Sequence, residues 1–317
     1  MFFTYLQSEE TSRNYLAQCY QRLENVDAEK KSYENCRAFM YYLDRGMQMY
    51  EQGAKLSANM QPILYFYGMV HLVKGCLLTI RPDYPESTNL LAHGVTARKR
   101  KKKNYAFMKD EVKIQHKGLF PYMAAHLLSS KTIPFEKIKM EDLLACIPEM
   151  LPLFQYQDRK KIIIVGKKHS PLLEFPVSLL DSYHLTEKAF INKIKNFVPE
   201  IKYVDIDKEM IRIELVQSIE ERNTPFFVHA STKHLYFPAD RDLLLPISEI
   251  IVHYLLLYNL SMLSRYETEW WGDLFAAKSE IDYPFILQFL QCTQEKIPAM
   301  LEDKLEKKLT LNSFPFT

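Results

Sequence analysis

The chain of 317 residues contains only eight glycines, and no two of them lie closer than seven positions apart. That spacing excludes the phosphate-cradling G-x-x-x-x-G-K-[ST] loop, the G-x-G-x-x-G turn and the G-x-S-x-G nucleophile elbow, each of which needs glycines a few residues apart. Cysteine is scarce too. Cys19, Cys36, Cys76, Cys146 and Cys292 are odd in number and contain no C-x-x-C pair, so they read as buried thiols in a reducing compartment. The nine histidines include no H-E-x-x-H, and His229 and His234, the nearest approach to a metal pair, have no cysteine or paired carboxylate beside them. No metal and no cofactor is therefore expected. Excess charge is also missing: 41 basic against 39 acidic residues leave +2, too little for a global field that would draw in polyanions. The most apolar stretch, Ile247 to Leu263, is interrupted by Glu249, His253 and Asn259, which predicts a buried helix rather than a membrane span. The first residues carry no basic region ahead of their apolar ones, as a secretory signal would, so a cytoplasmic protein is expected.

What is present is an ordinary globular balance, 47% hydrophobic and 25% charged, in a chain long enough for two lobes. Helical periodicity fills the first eighty residues: one helix capped by Ser8, one opening at Ser32, and one with Pro62 in its first turn. Gly46 and Gly53 lie seven apart on the second of these helices, and Gly68 and Gly75 lie seven apart on the third. A helical glycine costs about 1 kcal/mol against alanine, so the paired spacing predicts close backbone approach in an antiparallel hairpin. Alternation around Lys109-Asp110-Glu111 predicts a small β-hairpin near 105–115, with helices following at Leu119–Leu128 and Glu141–Met150. Ile162–Val165 reads as an interior strand, and Ile211–Leu215 as a strand partnered by Pro225–Ala230 and Leu235–Phe237 in one mixed sheet. A helix capped by Thr186 is expected to cover that sheet. Helices at Ile247–Tyr266, Asp282–Gln294 and Pro298–Lys308 complete the chain. The fold class is thus α+β and predominantly α-helical, with an N-terminal helical region (1–154), an α/β insertion (155–245), and C-terminal helices (246–317) that pack back on the first.

Few constellations carry chemistry. Asp181-Ser182-Tyr183-His184 reads as a capping turn, because triad members meet through the fold rather than along the chain. The Arg222 to His229 element superficially matches the spacing of HEPN-type ribonucleases, but Pro225 and the aromatic run put His229 on a strand. Arg98, Lys99, Arg100, Lys101, Lys102 and Lys103 form six consecutive cations, extended by Lys109, Lys113 and Lys117. Such density is either a solvated flank or a site for phosphates of nucleic acid. Arg265 and Tyr266, followed by Trp270, fall where a buried helix ends, and arginine stacking on indole would fix that corner or line a pocket.

Four ordered blocks resemble one family: Pro62–Lys74, Leu91–Gly94, Gly118–Pro121, and Leu260–Tyr266 with Trp270. They are similar to the YaaC-like proteins of Gram-positive bacteria, which implies a cytoplasmic bacterial protein and carries no catalytic residues. A looser likeness, in the N-terminal helix hairpin, is to HEPN-like domains. Missing catalytic motifs, near-neutral charge and abundant aromatic residues lead to a non-catalytic binding or regulatory protein acting through a protein partner. The alternatives are an RNA- or nucleotide-binding protein using residues 98–103, and a small-molecule enzyme with its site between the lobes.

Overall fold

The computed structural model describes residues 2–97, 105–130, 132–219 and 224–310. After a short α1 (Phe2–Tyr5), α2 (Glu9–Tyr20) begins at Ser8, whose hydroxyl accepts from the Thr11 amide at 3.1 Å. The next helix, α3 (Ala28–Lys55), starts a turn earlier than expected because Asp27 caps it, accepting from the Lys30 amide at 3.1 Å. Ser32 lies inside that helix and donates to the Glu29 carbonyl. Pro62 sits in the first turn of α4 (Gln61–Leu78), where its missing N–H has no intrahelical partner to lose.

Helices α3 and α4 run antiparallel in close contact, and Gly46 and Gly68 mark the crossing. A Cβ at Gly68 would lie 3.1 Å from the Gly46 carbonyl oxygen and 2.9 Å from the Tyr50 ring. A Cβ at Gly46 would likewise lie 3.1 Å from the Gly68 carbonyl oxygen. The propensity lost at these glycines is offset by backbone approach and by the Tyr50–Tyr65 stack, with centroids 5.2 Å apart.

Between this hairpin and the end of the chain lie α5 (Leu119–His126), α6 (Met140–Ala145), α7 (Leu151–Gln155), α8 (Leu179–Tyr183), α9 (Glu187–Ile194), α10 (Glu249–Tyr266), α11 (Thr268–Ala277) and α12 (Asp282–Thr310). Residues Asp282–Thr310 form one helix where two were expected, with Pro298 accommodated in its interior. Helix α10 is buried on nearly every side, which explains its weak amphipathicity, and it packs on α4 and α6. Long-range hydrogen bonds join the chain's ends: Tyr15 donates to the Leu305 carbonyl at 3.0 Å, Tyr254 to that of His93 at 2.9 Å, and Tyr65 to the Gln294 side chain at 2.9 Å. One apolar cluster accordingly contains Phe39, Phe66, Leu72, Leu255, Phe289 and Leu301. No helix among the described residues is long and apolar enough to cross a membrane.

Three small sheets complete the α+β, predominantly helical fold, and every strand pair is antiparallel, so the mixed sheet expected from sequence does not form. The hairpin near 105–115 is also corrected. Glu111–Ile114 is a strand, but Phe107–Lys109 is a 3₁₀ turn held by the Asp282 carboxylate, which accepts from the Phe107 and Met108 amides. The strand, β2, instead pairs with β1 (Val95–Ala97) and β3 (Lys137–Lys139). Farther on, β4 (Ile162–Lys167), β5 (Leu172–Pro176), β6 (Ile201–Ile206), β7 (Met210–Leu215), β8 (Phe227–Val228) and β9 (His234–Pro238) divide into two sheets, ordered β4-β9-β8 and β5-β7-β6. The 227–228 and 234–238 strands thus pair with each other rather than with β7, and β4 is an edge strand whose Ile164 is exposed. Their inner faces and α8–α9 share a second apolar cluster, in which Phe175, Phe190 and Phe237 meet edge-on.

Candidate functional site

Helices α10 and α12 and the β8–β9 strand ends enclose a cleft of about 360 Å³. Its apolar wall comes from Phe226 and Val228 on the sheet side, Ile247 ahead of α10, and Met300 on α12. Lys296, Met300 and Lys304 recur at four-residue spacing, which aligns them on one face of α12. Ser248 caps α10 at the cleft, accepting from the Ile250 amide at 3.4 Å, and so presents Glu249 in the first helical turn.

The cleft floor is an ion cluster. The Lys296 ammonium lies 2.7 and 3.0 Å from the two Glu149 oxygens and 2.6 Å from Glu249 Oε1, so three acceptors meet its three N–H bonds. Burial alone would lower the Lys296 pKa, but Glu249 and Glu149 outweigh it and hold it above the ordinary lysine value. Burial likewise opposes ionisation of Glu149, yet Lys296 and the Ala230 amide, donating at 2.7 Å, leave its pKa depressed. Glu149 sits on the 3₁₀ turn Pro148–Met150, so a single carboxylate joins that turn, α12 and the β8–β9 connection.

Behind Glu249, one helical turn on, His253 is fully buried; its Nδ1 lies 2.8 Å from Thr293 Oγ1 and its Nε2 3.6 Å from Glu249 Oε1. Burial lowers the His253 pKa against the pull of Glu249. The nearby Cys146 and Cys292 thiols are raised by burial, which makes them poor nucleophiles. With its donors engaged and its charge locked, Lys296 is equally unsuited to nucleophilic work. The arrangement suits holding a ligand rather than transforming one.

The His253 environment gives a pH dependence of defined sign. Its folded pKa lies below the unfolded value of about 6.5, so the unfolded chain takes up the proton first as pH falls. Stability is complete above that value and should decline below it, by at most about 1.4 kcal/mol per pH unit from this group. Glu149 adds a second loss at lower pH, as its depressed folded pKa is approached. Urea titrations at pH 7.5, 6.5 and 5.5 should show the first decline in wild type and a flatter profile in His253→Gln. Equal slopes would rule out His253 as the source.

The residues singled out from sequence lie elsewhere. Arg98, Lys99, Arg100, Lys101, Lys102 and Lys103 fall outside the described residues. Of the flanking lysines, Lys113 is on β2 opposite Thr96 and Lys137. Arg265 lies at the opposite end of α10 from Glu249, about 24 Å away by helical rise. It does not stack on indole: its guanidinium lies 5.8 Å from the Tyr67 ring centroid and 5.4 Å from that of Tyr266, and it donates to the Tyr67 hydroxyl. Trp270 instead meets Tyr105 edge-on at 4.7 Å, and Trp271 donates to the Asn59 carbonyl. These contacts account for the corner structurally. His184 ends α8 in the left-handed conformation, as a capping turn requires. His229 follows β8 rather than occupying a helix.

Sequence reasoning missed Glu149, Glu249, His253 and Lys296 as a group. Glu249 and His253 were visible only as interruptions of an apolar run, although an i, i+4 carboxylate–imidazole pair inside such a run is itself a signal. Their partners are not local, since Lys296 and Glu149 stand 147 positions apart. Among the described residues no group of three or more His, Cys, Asp or Glu could hold a metal ion. No curated protein and no solved structure matches the chain. One family model, described as YaaC-like Protein, matches residues 4–305. Nearly every element described above falls within that span, including the cleft and its ion cluster, and the chain belongs to the YaaC-like family.

Proposed function

We propose that this is a non-catalytic binding protein whose site is the cleft between α10, α12 and the β8–β9 strand ends. The observation that carries this reading is a cavity of about 360 Å³ whose floor is a buried Glu149–Lys296–Glu249 cluster. That size is within the range of small-molecule sites, and apolar walls with a few convergent polar groups are the usual composition of such sites. A floor whose charges satisfy one another stays rigid without a ligand, which favours recognition over reaction.

Ala299, exposed on α12, also lines the cleft, so Ala299→Trp should fill it without burying a polar group. In a thermal-shift screen of metabolite mixtures, a ligand at one hundred times its Kd should stabilise wild type by about 2.7 kcal/mol. Ala299→Trp should give no such shift. Equal shifts in both proteins would sink the assignment.

Action through a protein partner remains a second reading, favoured by Tyr33 and Tyr41, which are 66% and 68% exposed on α3 with Arg37 midway between them. Exposed tyrosine and arginine are the residue types that anchor interfaces. The nucleic-acid reading rests on the sequence of residues 98–103.

A further inference from the structure

We propose that the ligand of this cleft is a mononucleotide, an inference that rests on the cleft being a binding site. The argument is the order of chemistry from floor to mouth. At the floor, Glu249 and Lys296 are 7% and 6% exposed, and two carboxylates surround one ammonium, which leaves negative charge in excess. Toward the mouth come the half-buried Lys168 and Lys304 and the exposed Lys233, contributed by three different segments. Lys168 and Lys233 are neighbours, because the Lys168 amide donates to the Lys233 carbonyl at 2.8 Å. Two acidic residues share the lining, Glu295 and Asp303, and Asp303 is engaged by Lys307 at 2.5 Å. Between floor and mouth the wall is apolar, formed by Phe226, Val228, Ile247 and Met300.

A matching ligand carries hydrogen-bond donors at one end, a flat apolar body, and an anion at the other. A nucleobase supplies N–H groups for the Glu249 carboxylate and a planar body for the wall, and a phosphate supplies charge for the lysines. Inorganic phosphate alone would use only the mouth. An uncharged apolar molecule would desolvate the lysines without compensation.

The test is isothermal titration of the full chain with AMP, GMP, CMP and UMP, with each parent nucleoside and with inorganic phosphate. Wild type, Lys233→Glu and Ala299→Trp are compared, with melting temperatures checked alongside. At least one nucleotide should bind wild type, and Lys233→Glu should weaken it about tenfold or more, as loss of a charged hydrogen bond does. The nucleoside's own affinity should change less than about twofold, and Ala299→Trp should abolish both. If no nucleotide binds while another ligand from the metabolite screen is excluded by Ala299→Trp, the nucleotide assignment fails and the cleft reading stands. Phosphate binding as tightly as the nucleotide also overturns the assignment. Nucleotide binding unchanged by Ala299→Trp overturns both readings.

Discussion

Lys296→Met should destabilise the protein by about 3 to 5 kcal/mol, the usual cost of removing one partner from a buried ion pair. The size of the effect follows from what is left behind. Glu149 and Glu249 have side chains only 11% and 6% exposed, and the variant leaves two carboxylates facing each other across the space the ammonium occupied. Urea denaturation should show a lower midpoint at unchanged slope. The triple variant Glu149→Gln, Glu249→Gln, Lys296→Met should recover most of the loss, because the penalty lies in uncompensated charge rather than in the missing attraction. A single variant with the wild-type midpoint would mean that water reaches the cluster freely and that the floor is not a closed ion network.

Gly68→Leu should cost about 1 to 3 kcal/mol, since the added side chain must displace an α3 that approaches backbone to backbone. Gly68→Ala is the more discriminating variant. At an exposed helical site alanine raises stability, but here its methyl would lie 2.9 Å from the Tyr50 ring and 3.1 Å from the Gly46 carbonyl oxygen. A lower melting temperature is therefore expected for both variants. A rise in Gly68→Ala would show that the hairpin can spread at no cost.

The hairpin was legible because its signal is local: two glycine pairs at equal spacing, each breaking a rule of helix propensity that only a close neighbour could offset. The cap at Ser8, the proline at the start of α4 and the alternation of Ile211, Ile213 and Leu215 were read for the same reason. Strand partnership was not legible. Residues 227–228 and 234–238 have the composition of partners for β7, yet whether they join it or β4 depends on a chain reversal that composition does not encode. Pro298 misled in the opposite direction, because proline breaks an isolated helix at a cost of about 3 kcal/mol. Here the flanking turns bury Ile297 and Leu301 fully, and that packing keeps the helix continuous. The ion cluster was hidden for a related reason. Each of its members looks unremarkable in its own segment, and only the folded chain brings a 3₁₀ turn, a helix start and the middle of another helix within 3 Å of one ammonium.

The same apolar cluster holds Leu72 and Leu78 near the start of the chain and Leu301 and Leu305 near the end. During synthesis at about 5 to 20 residues per second, roughly 10 to 45 s separate the emergence of Leu78 from that of Leu305. For that interval the α3–α4 hairpin is complete in its local contacts, but its outward apolar face lacks the helices that will cover it. Residues that look like the most secure part of the finished core are thus, on the ribosome, the longest exposed, and the demand for chaperoning falls on the beginning of the nascent chain.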